Sequence, residues 1–228
     1  SDGAWVQTYK SGNAGTVNIT ADTISFRGQD TTMATSSAGE GSAGNIVINA
    51  GTLDIRNRVA VSSASNSEFN GGDAGTIEIR TGESVTLSGG SSLTTAALGA
   101  GGGKISVDAG KTLYLLNGQI TSSVRQGEGK GGDITAHSEF VVLNHGALTA
   151  NAEAGDGGAI FVETDNYVKS ADSNVSATSR RGNDGTVKIE APDMDVSSGL
   201  GVLTAKYLDA SRWMKTPCAA RTGETVSR

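Results

Sequence analysis

The chain has 228 residues, of which 33 are glycine, roughly twice ordinary usage, with only 2 prolines, 10 aromatics and 1 cysteine. Glycine without a three-residue period and without proline excludes collagen, one cysteine excludes a disulfide scaffold, and no apolar run reaches the 18 residues of a membrane-spanning helix. Eighteen basic against 24 acidic residues give −6, a poor binder of nucleic acid. The charge deficit is filled by Ser, Thr, Asn and Gly, the surface of many extracellular β-proteins.

A signature of glycine, any residue, then alternating aliphatics recurs along the chain. It stands at Gly15–Ile19, Gly44–Ile48, Gly75–Ile79, Gly103–Val107, Gly132–Ile134, Gly158–Val162 and Gly185–Ile189. The glycine-to-glycine spacings are 29, 31, 28, 29, 26 and 27 residues. A period this regular marks stacked structural repeats. Within each unit a second alternating stretch follows: Ile24/Phe26, Leu53/Ile55, Val85/Leu87, Leu113/Leu115, Phe140/Val142, Tyr167/Val168 and Met194/Val196. A third is centred on Met33, Val59/Val61, Leu93, Ile120, Leu148, Val175 and Leu203, followed by small residues such as Thr and Ser. Period-two alternation bounded by Gly, Asn and Ser is a strand signal, and sustained helical spacing is missing. The pattern predicts an all-β fold, a right-handed parallel β-helix (β-solenoid) of about seven three-stranded coils of roughly 28 residues over 1–205. Val17/Ile19, Ile24/Phe26, Met33 and their equivalents should point inward.

Turn chemistry agrees. Gly28, Asn57, Gly89, Asn117-Gly118, Asn144, and less ideally Ser170 and Ser198, fall between the second and third stretches, where a sharp corner favours residues that tolerate positive φ. Asn117 and Asn144 are placed to stack as a side-chain ladder. Glycine-rich segments such as Ala38–Gly44, Gly99–Gly103 and Gly127–Gly132 form the third corner.

The glycine-rich corner followed by Gly-x-Ile/Val-x-Ile/Val-x-Ala, as in Gly44–Ala50 and Gly103–Ala109, resembles filamentous-haemagglutinin-type exoproteins of Gram-negative bacteria, over roughly residues 11–205. Leu203–Ala205, Tyr207–Met214 and Cys218–Ser227 are similar to the C-terminal portion of such proteins. The resemblance implies two-partner secretion, with an outer-membrane transporter as partner during export, and a secreted, cell-surface location. It also implies adhesion to host or neighbouring-cell glycans or proteins, or a matrix role. Ser1–Trp5 has neither the basic nor the apolar region of a signal peptide, so the expectation is a C-terminal piece of a longer exoprotein.

His137 and His145 lie eight residues apart, but a metal would need further converging ligands; exposed or turn histidines are the simpler reading. Asp73, Asp133, Asp156 and Asp184 recur near the glycine-rich corner, where a carboxylate column would suit Ca²⁺ and Asx capping is the simpler alternative. Gly127–Gly132 lacks the phosphate-loop order and a following helix. Asp193 and Asp195 straddle Met194 in an ordinary alternating stretch rather than forming a glycosidase pair. No catalytic, cofactor or metal residue is therefore assigned, and no enzyme activity is expected.

Residues 206–228 break the repeat. Five basic and two acidic residues make this segment +3, leaving −9 before it, and it holds Trp213, Pro217 and Cys218. It reads as a cap on the last coil or as an anchor. Three functions follow in order: a non-enzymatic surface rod, a subunit that polymerises end to end through exposed coil edges, and, far behind, a polysaccharide-active enzyme.

Overall fold

A computed structural model describes residues 3–8, 12–67 and 71–192. Every element among them is a strand. In chain order these are β1 (Gly3–Thr8), β2 (Val17–Arg27), β3 (Thr32–Ser37), β4 (Ile46–Arg56), β5 (Ala60–Ser65), β6 (Ile77–Ser88) and β7 (Ser92–Ala97). They continue with β8 (Ile105–Leu116), β9 (Gln119–Val124), β10 (Ile134–Asn144), β11 (Ala147–Thr149), β12 (Ala159–Lys169), β13 (Asn174–Ser176) and β14 (Thr186–Glu190). Even-numbered strands form one sheet in the order β14-β12-β10-β8-β6-β4-β2, and odd-numbered strands form the other, β1-β3-β5-β7-β9-β11-β13. All pairings are parallel. The fold is a β-solenoid of about six turns with roughly 28 residues per turn, and at about 4.8 Å per coil the stack is roughly 29 Å long.

The first two alternating stretches of each unit run on as a single strand of 11 or 12 residues that bends at its middle. Gly82 and Glu83 are both exposed at the bend of β6, between buried Thr81 and Val85. The third stretch is the short strand on the opposite wall. The seventh unit contributes β14. Its later stretches at Met194/Val196 and Leu203, the corner at Ser198, the boundary at residue 205 and the tail 206–228 lie outside the described residues.

The core is built from columns of equivalent residues, one per coil. Ile46, Ile77, Ile105, Ile134 and Ile160 stack in register, as do Leu53, Val85, Leu113 and Val141, and all are buried. On the short sheet Met33, Val61, Leu93, Ile120 and Leu148 form the facing column. Full burial of an aliphatic side chain contributes about 2 kcal/mol, and each coil obtains it only from its neighbours.

Two parity assignments are corrected. Val141 and Leu143 are buried, whereas Phe140 is 38% exposed and Val142 faces outward with it. On the next strand Val168 is 56% exposed, and Tyr167 packs partly into the core. The cause is one residue: Gly110 and Lys111 of β8 stand opposite the single Glu139 of β10, so the register shifts between Ser138 and Phe140. In a strand a one-residue slip exchanges the faces.

The corners also differ in detail. Positive φ occurs at Asn57, Gly89 and Asn117 as expected, but at Asp30 rather than Gly28 and at His145 rather than Asn144. Asn117 and Asn144 meet through backbone, the Asn117 N–H donating to the Asn144 carbonyl at 2.9 Å, while the Asn144 side chain turns to His145.

Two further columns face each other across the glycine-rich corner. A Cβ built on Gly44, Gly75, Gly103 or Gly132 would lie well inside 3.0 Å of the carbonyl oxygen of the signature glycine one coil earlier. Opposite them the inward positions of the short sheet are hydroxyls: Thr35, Ser63, Thr95 and Ser122, all fully buried. Thr35 and Ser63 both donate to the Gly44 carbonyl, at 2.8 and 2.7 Å, and Ser122 donates to that of Gly103 at 2.6 Å. These bonds supply partners that buried carbonyls require.

Gly103→Ala should therefore cost about 2–3 kcal/mol by overpacking, read as a lowered denaturant midpoint. Gly82→Ala, where an added Cβ meets nothing within 4 Å, should stay within about 0.5 kcal/mol of the parent. Equal effects at the two sites would show that the column is not what sets the coil spacing.

Candidate functional site

The four recurring aspartates occupy different positions relative to the signature glycine, so they do not make a carboxylate column. Asp73 and Asp156 stand two residues before it, Asp133 one after and Asp184 one before. Each uses Oδ1 to accept a backbone N–H. Asp73 takes Gly101 at 2.7 Å, Asp133 takes Ala159 at 3.0 Å, Asp156 takes Asn183 at 2.9 Å, and Asp184 takes Ser179 at 2.9 Å. Asn13 and Asn45 do the same for Ser42 and Thr76, at 2.8 and 2.9 Å. Asn and Asp thus serve interchangeably as acceptors, mostly for the equivalent or adjacent amide of the next coil, which is Asx chemistry carried between coils. Among the described residues no three His, Cys, Asp or Glu side chains converge as metal ligands.

The two histidines sit at opposite ends of β10. His137 faces outward in register between Asp108 and Glu163, with Nδ1 3.3 Å from Asp108 Oδ1. His145 occupies the positive-φ corner, with Nε2 2.7 Å from Asp172 Oδ2 and Nδ1 2.7 Å from Asn144 Oδ1. Its own N–H donates to Ser170 Oγ at 3.0 Å. The Ser170 hydroxyl in turn donates to Asp172 Oδ1 at 2.6 Å. That bond holds the Asp172 carboxyl below its ordinary value against the opposing cost of desolvation, with smaller help from a backbone amide, His145 and Lys169. Serine, aspartate and histidine are gathered here, but the serine and the imidazole each engage the carboxylate instead of each other, so no base stands at the hydroxyl as a nucleophile requires. The cluster closes a corner.

In the Gly127–Gly132 segment, Gly127 has φ 68° and the Gly131 N–H donates to the Asp156 carbonyl of the next coil at 2.8 Å. That amide is committed to the stack and does not face an anion. Asp193, Asp195 and Cys218 lie outside the described residues.

One feature escaped the sequence reading. At the bend of the long sheet a shallow open groove is lined by His137, Glu139, Glu163, Thr164, Asp165 and Glu190. These residues belong to β10, β12 and the end of β14, so they are separated by whole coils in sequence and converge only through the stack. Their carboxylates are solvated and their field is screened within about 8–10 Å. A coil-by-coil alignment of outward positions could have found them.

The fold and its surface define a parallel β-solenoid repeat protein. Comparison of the chain with protein-family models, curated proteins and solved structures found no match.

The corner cluster gives a pH dependence with a definite sign. A carboxyl whose folded pKa is depressed stabilises the fold above its unfolded value, here the ordinary 3.8, and that contribution is lost as pH falls through the lower folded value. In Ser170→Ala the Asp172 titration midpoint, followed by carboxyl NMR, should rise toward 3.8. An unchanged midpoint would show that the hydroxyl is not the main cause.

Proposed function

We propose that this chain is shaft material of a secreted surface exoprotein of the filamentous-haemagglutinin type, a non-enzymatic rod for adhesion or extracellular matrix on a Gram-negative cell. The observation that carries this reading is the division of labour in each coil. Inward columns and the glycine corner are occupied by stacking, which leaves outward Thr, Ser, Asn and charged positions free for contact. Many weak contacts repeated along a stiff element add by multivalency. The partners that fit are glycans or proteins of host or neighbouring cells, with an outer-membrane transporter engaged during export.

The test is binding of the full chain, displayed at high density on beads, to epithelial and bacterial cell layers. Saturable retention that falls at least tenfold when the same chain is offered as free monomer supports the reading. Retention no greater than that of bare beads on every surface overturns adhesion.

A second reading, a subunit that polymerises end to end, is favoured by one feature. Among the described residues, which end at 192, Val187 and Ile189 of β14 are 45% and 37% exposed although they stand in register with buried Ile160 and Val162. Sedimentation across a concentration series with negative-stain imaging separates the two. Fibres of uniform width would favour polymerisation, and a single short species at all concentrations would remove it.

A further inference from the structure

The outward face of the long sheet changes character along the stack. One outward column reads Ser25, Asp54 and Thr86 on the first three long strands, then Tyr114, Val142 and Val168 on the next three. Beside it, Thr112 is followed in register by Phe140, and Ser88 by Leu116. Parallel pairing thus gathers Tyr114, Leu116, Phe140, Val142 and Val168 on one outer surface, with Val142 at the centre. Phe140 and Val168 are 38% and 56% exposed. None of the five is needed in the core, which the inward neighbours Leu113, Leu115, Val141 and Leu143 already fill. An exposed apolar patch is more informative than a single exposed aliphatic, and here the equivalent coils earlier in the stack show that the fold does not require it.

We infer that this patch is a binding site for a neutral, hydroxyl-rich ligand, a short stretch of uncharged polysaccharide. Three observations select that chemistry. The first is charge: among the described residues the in-register neighbours of the patch, Thr86, Ser88, Thr112, Asn144 and Asn166, are all uncharged, so an ionic ligand finds no counter-charge among them. The charged residues that adjoin the patch and its rim along the strands, Lys111, Glu139, Asp165 and Lys169, are two of each sign and favour neither kind of ion. The second is area. Three coils at roughly 4.8 Å and two double-residue steps of roughly 6.6 Å span on the order of 200 Å², well below the roughly 800 Å² per partner of a stable protein interface. The third is composition. A flat apolar floor with two aromatic rings, one carrying a phenol, rimmed by hydroxyl and amide groups matches a ligand with apolar ring faces and hydrogen-bonding edges. This inference rests on the reading of the chain as a surface rod that makes contacts through its outer faces, and it names where and with what.

The experiment uses the full chain and the variants Tyr114→Thr, Phe140→Ser and Val168→Thr. Each introduces a hydroxyl residue of the kind found at outward positions elsewhere in the sheet. Probes are cello-, xylo- and chito-oligosaccharides of two to six units, with oligogalacturonate as the charged control, read by isothermal titration and by two-dimensional NMR. The expected result is binding of at least one neutral series that strengthens with length, weakens at least tenfold in Tyr114→Thr and Phe140→Ser, and leaves circular dichroism and melting unchanged. Absence of binding to every neutral series overturns the inference, as does binding that the variants leave intact or binding of oligogalacturonate alone. A parent chain that is dimeric and becomes monomeric in Val168→Thr also overturns it, because the patch is then a protein interface. The bead assay keeps the two readings apart. Parent and variants that adhere equally to cells refute this site and leave the adhesive rod standing, whereas a parent that does not adhere refutes the rod itself.

Discussion

The close approach of successive coils at the signature glycine is the constraint on which the rest of the stack depends. At Gly44, Gly75, Gly103, Gly132, Gly158 and Gly185 the backbone passes so near the preceding glycine carbonyl that no side chain fits. Two elements follow from it. The walls on either side of that corner are held at one coil spacing, so the aliphatic columns of both sheets stack side chain on like side chain. The glycine carbonyls, turned from water by the same approach, draw buried hydroxyls to the facing positions Thr35, Ser63 and Ser122. A pattern that reads in sequence as simple punctuation is thus a steric condition that dictates chemistry nine to nineteen residues away.

Spacings of 26 to 31 residues between those glycines are reconciled with fixed columns by placing the variation where packing tolerates it. The glycine-rich segment ahead of the signature changes length, and the bend of the long strand gains or loses one residue, as between β8 and β10. Both lie on the outside of the coil. Asn and Asp side chains tie the variable corner to the next coil, and their alternation at Asn13, Asp73 and Asp156 shows that the hydrogen bond is retained while the charge is free to change. Surface ion pairs such as Lys111–Glu83 at 2.6 Å add little to that, since exposed pairs contribute about 0–1 kcal/mol.

The repeat, the strands and most of the core were legible in the sequence because period-two alternation of Ile, Leu and Val over the signature survives without reference to any partner. Legibility failed where a decision needed the neighbouring coil. Nothing in the residues around Phe140 says that the bend before it is one residue shorter, so alternation alone points its apolar side chain inward and conceals the outer patch. The merging of two stretches into one bent strand is hidden in the sequence because glycine bounds alternating runs as a strand end does, and Gly51, Gly82 and Gly110 instead lie inside single strands. In sequence Thr35 and Ser122 are only small polar residues that follow the third stretch. Alternation alone cannot tell a hydroxyl buried against a glycine carbonyl from one facing water. The acidic groove at the bend was invisible for a geometric reason, since Glu139, Glu163 and Glu190 meet only when whole coils are stacked.

This separation of tasks also explains how one scaffold accommodates outer columns beyond the bend that are polar on its first coils and apolar on its later coils. In a globular core a change from Thr86 to Tyr114 at equivalent positions would disturb packing on every side. In a parallel stack the outward residue touches only other outward residues and solvent, so each column can alter its chemistry coil by coil while Leu87 and Leu115 beside it stay buried in register. Stability and recognition are therefore written in alternate residues of the same strand. A one-residue change of register at a bend, as at Glu139, is enough to move a side chain from one role to the other. The same shift that sets Phe140 at the surface places Val141 and Leu143 inward, so the core is kept.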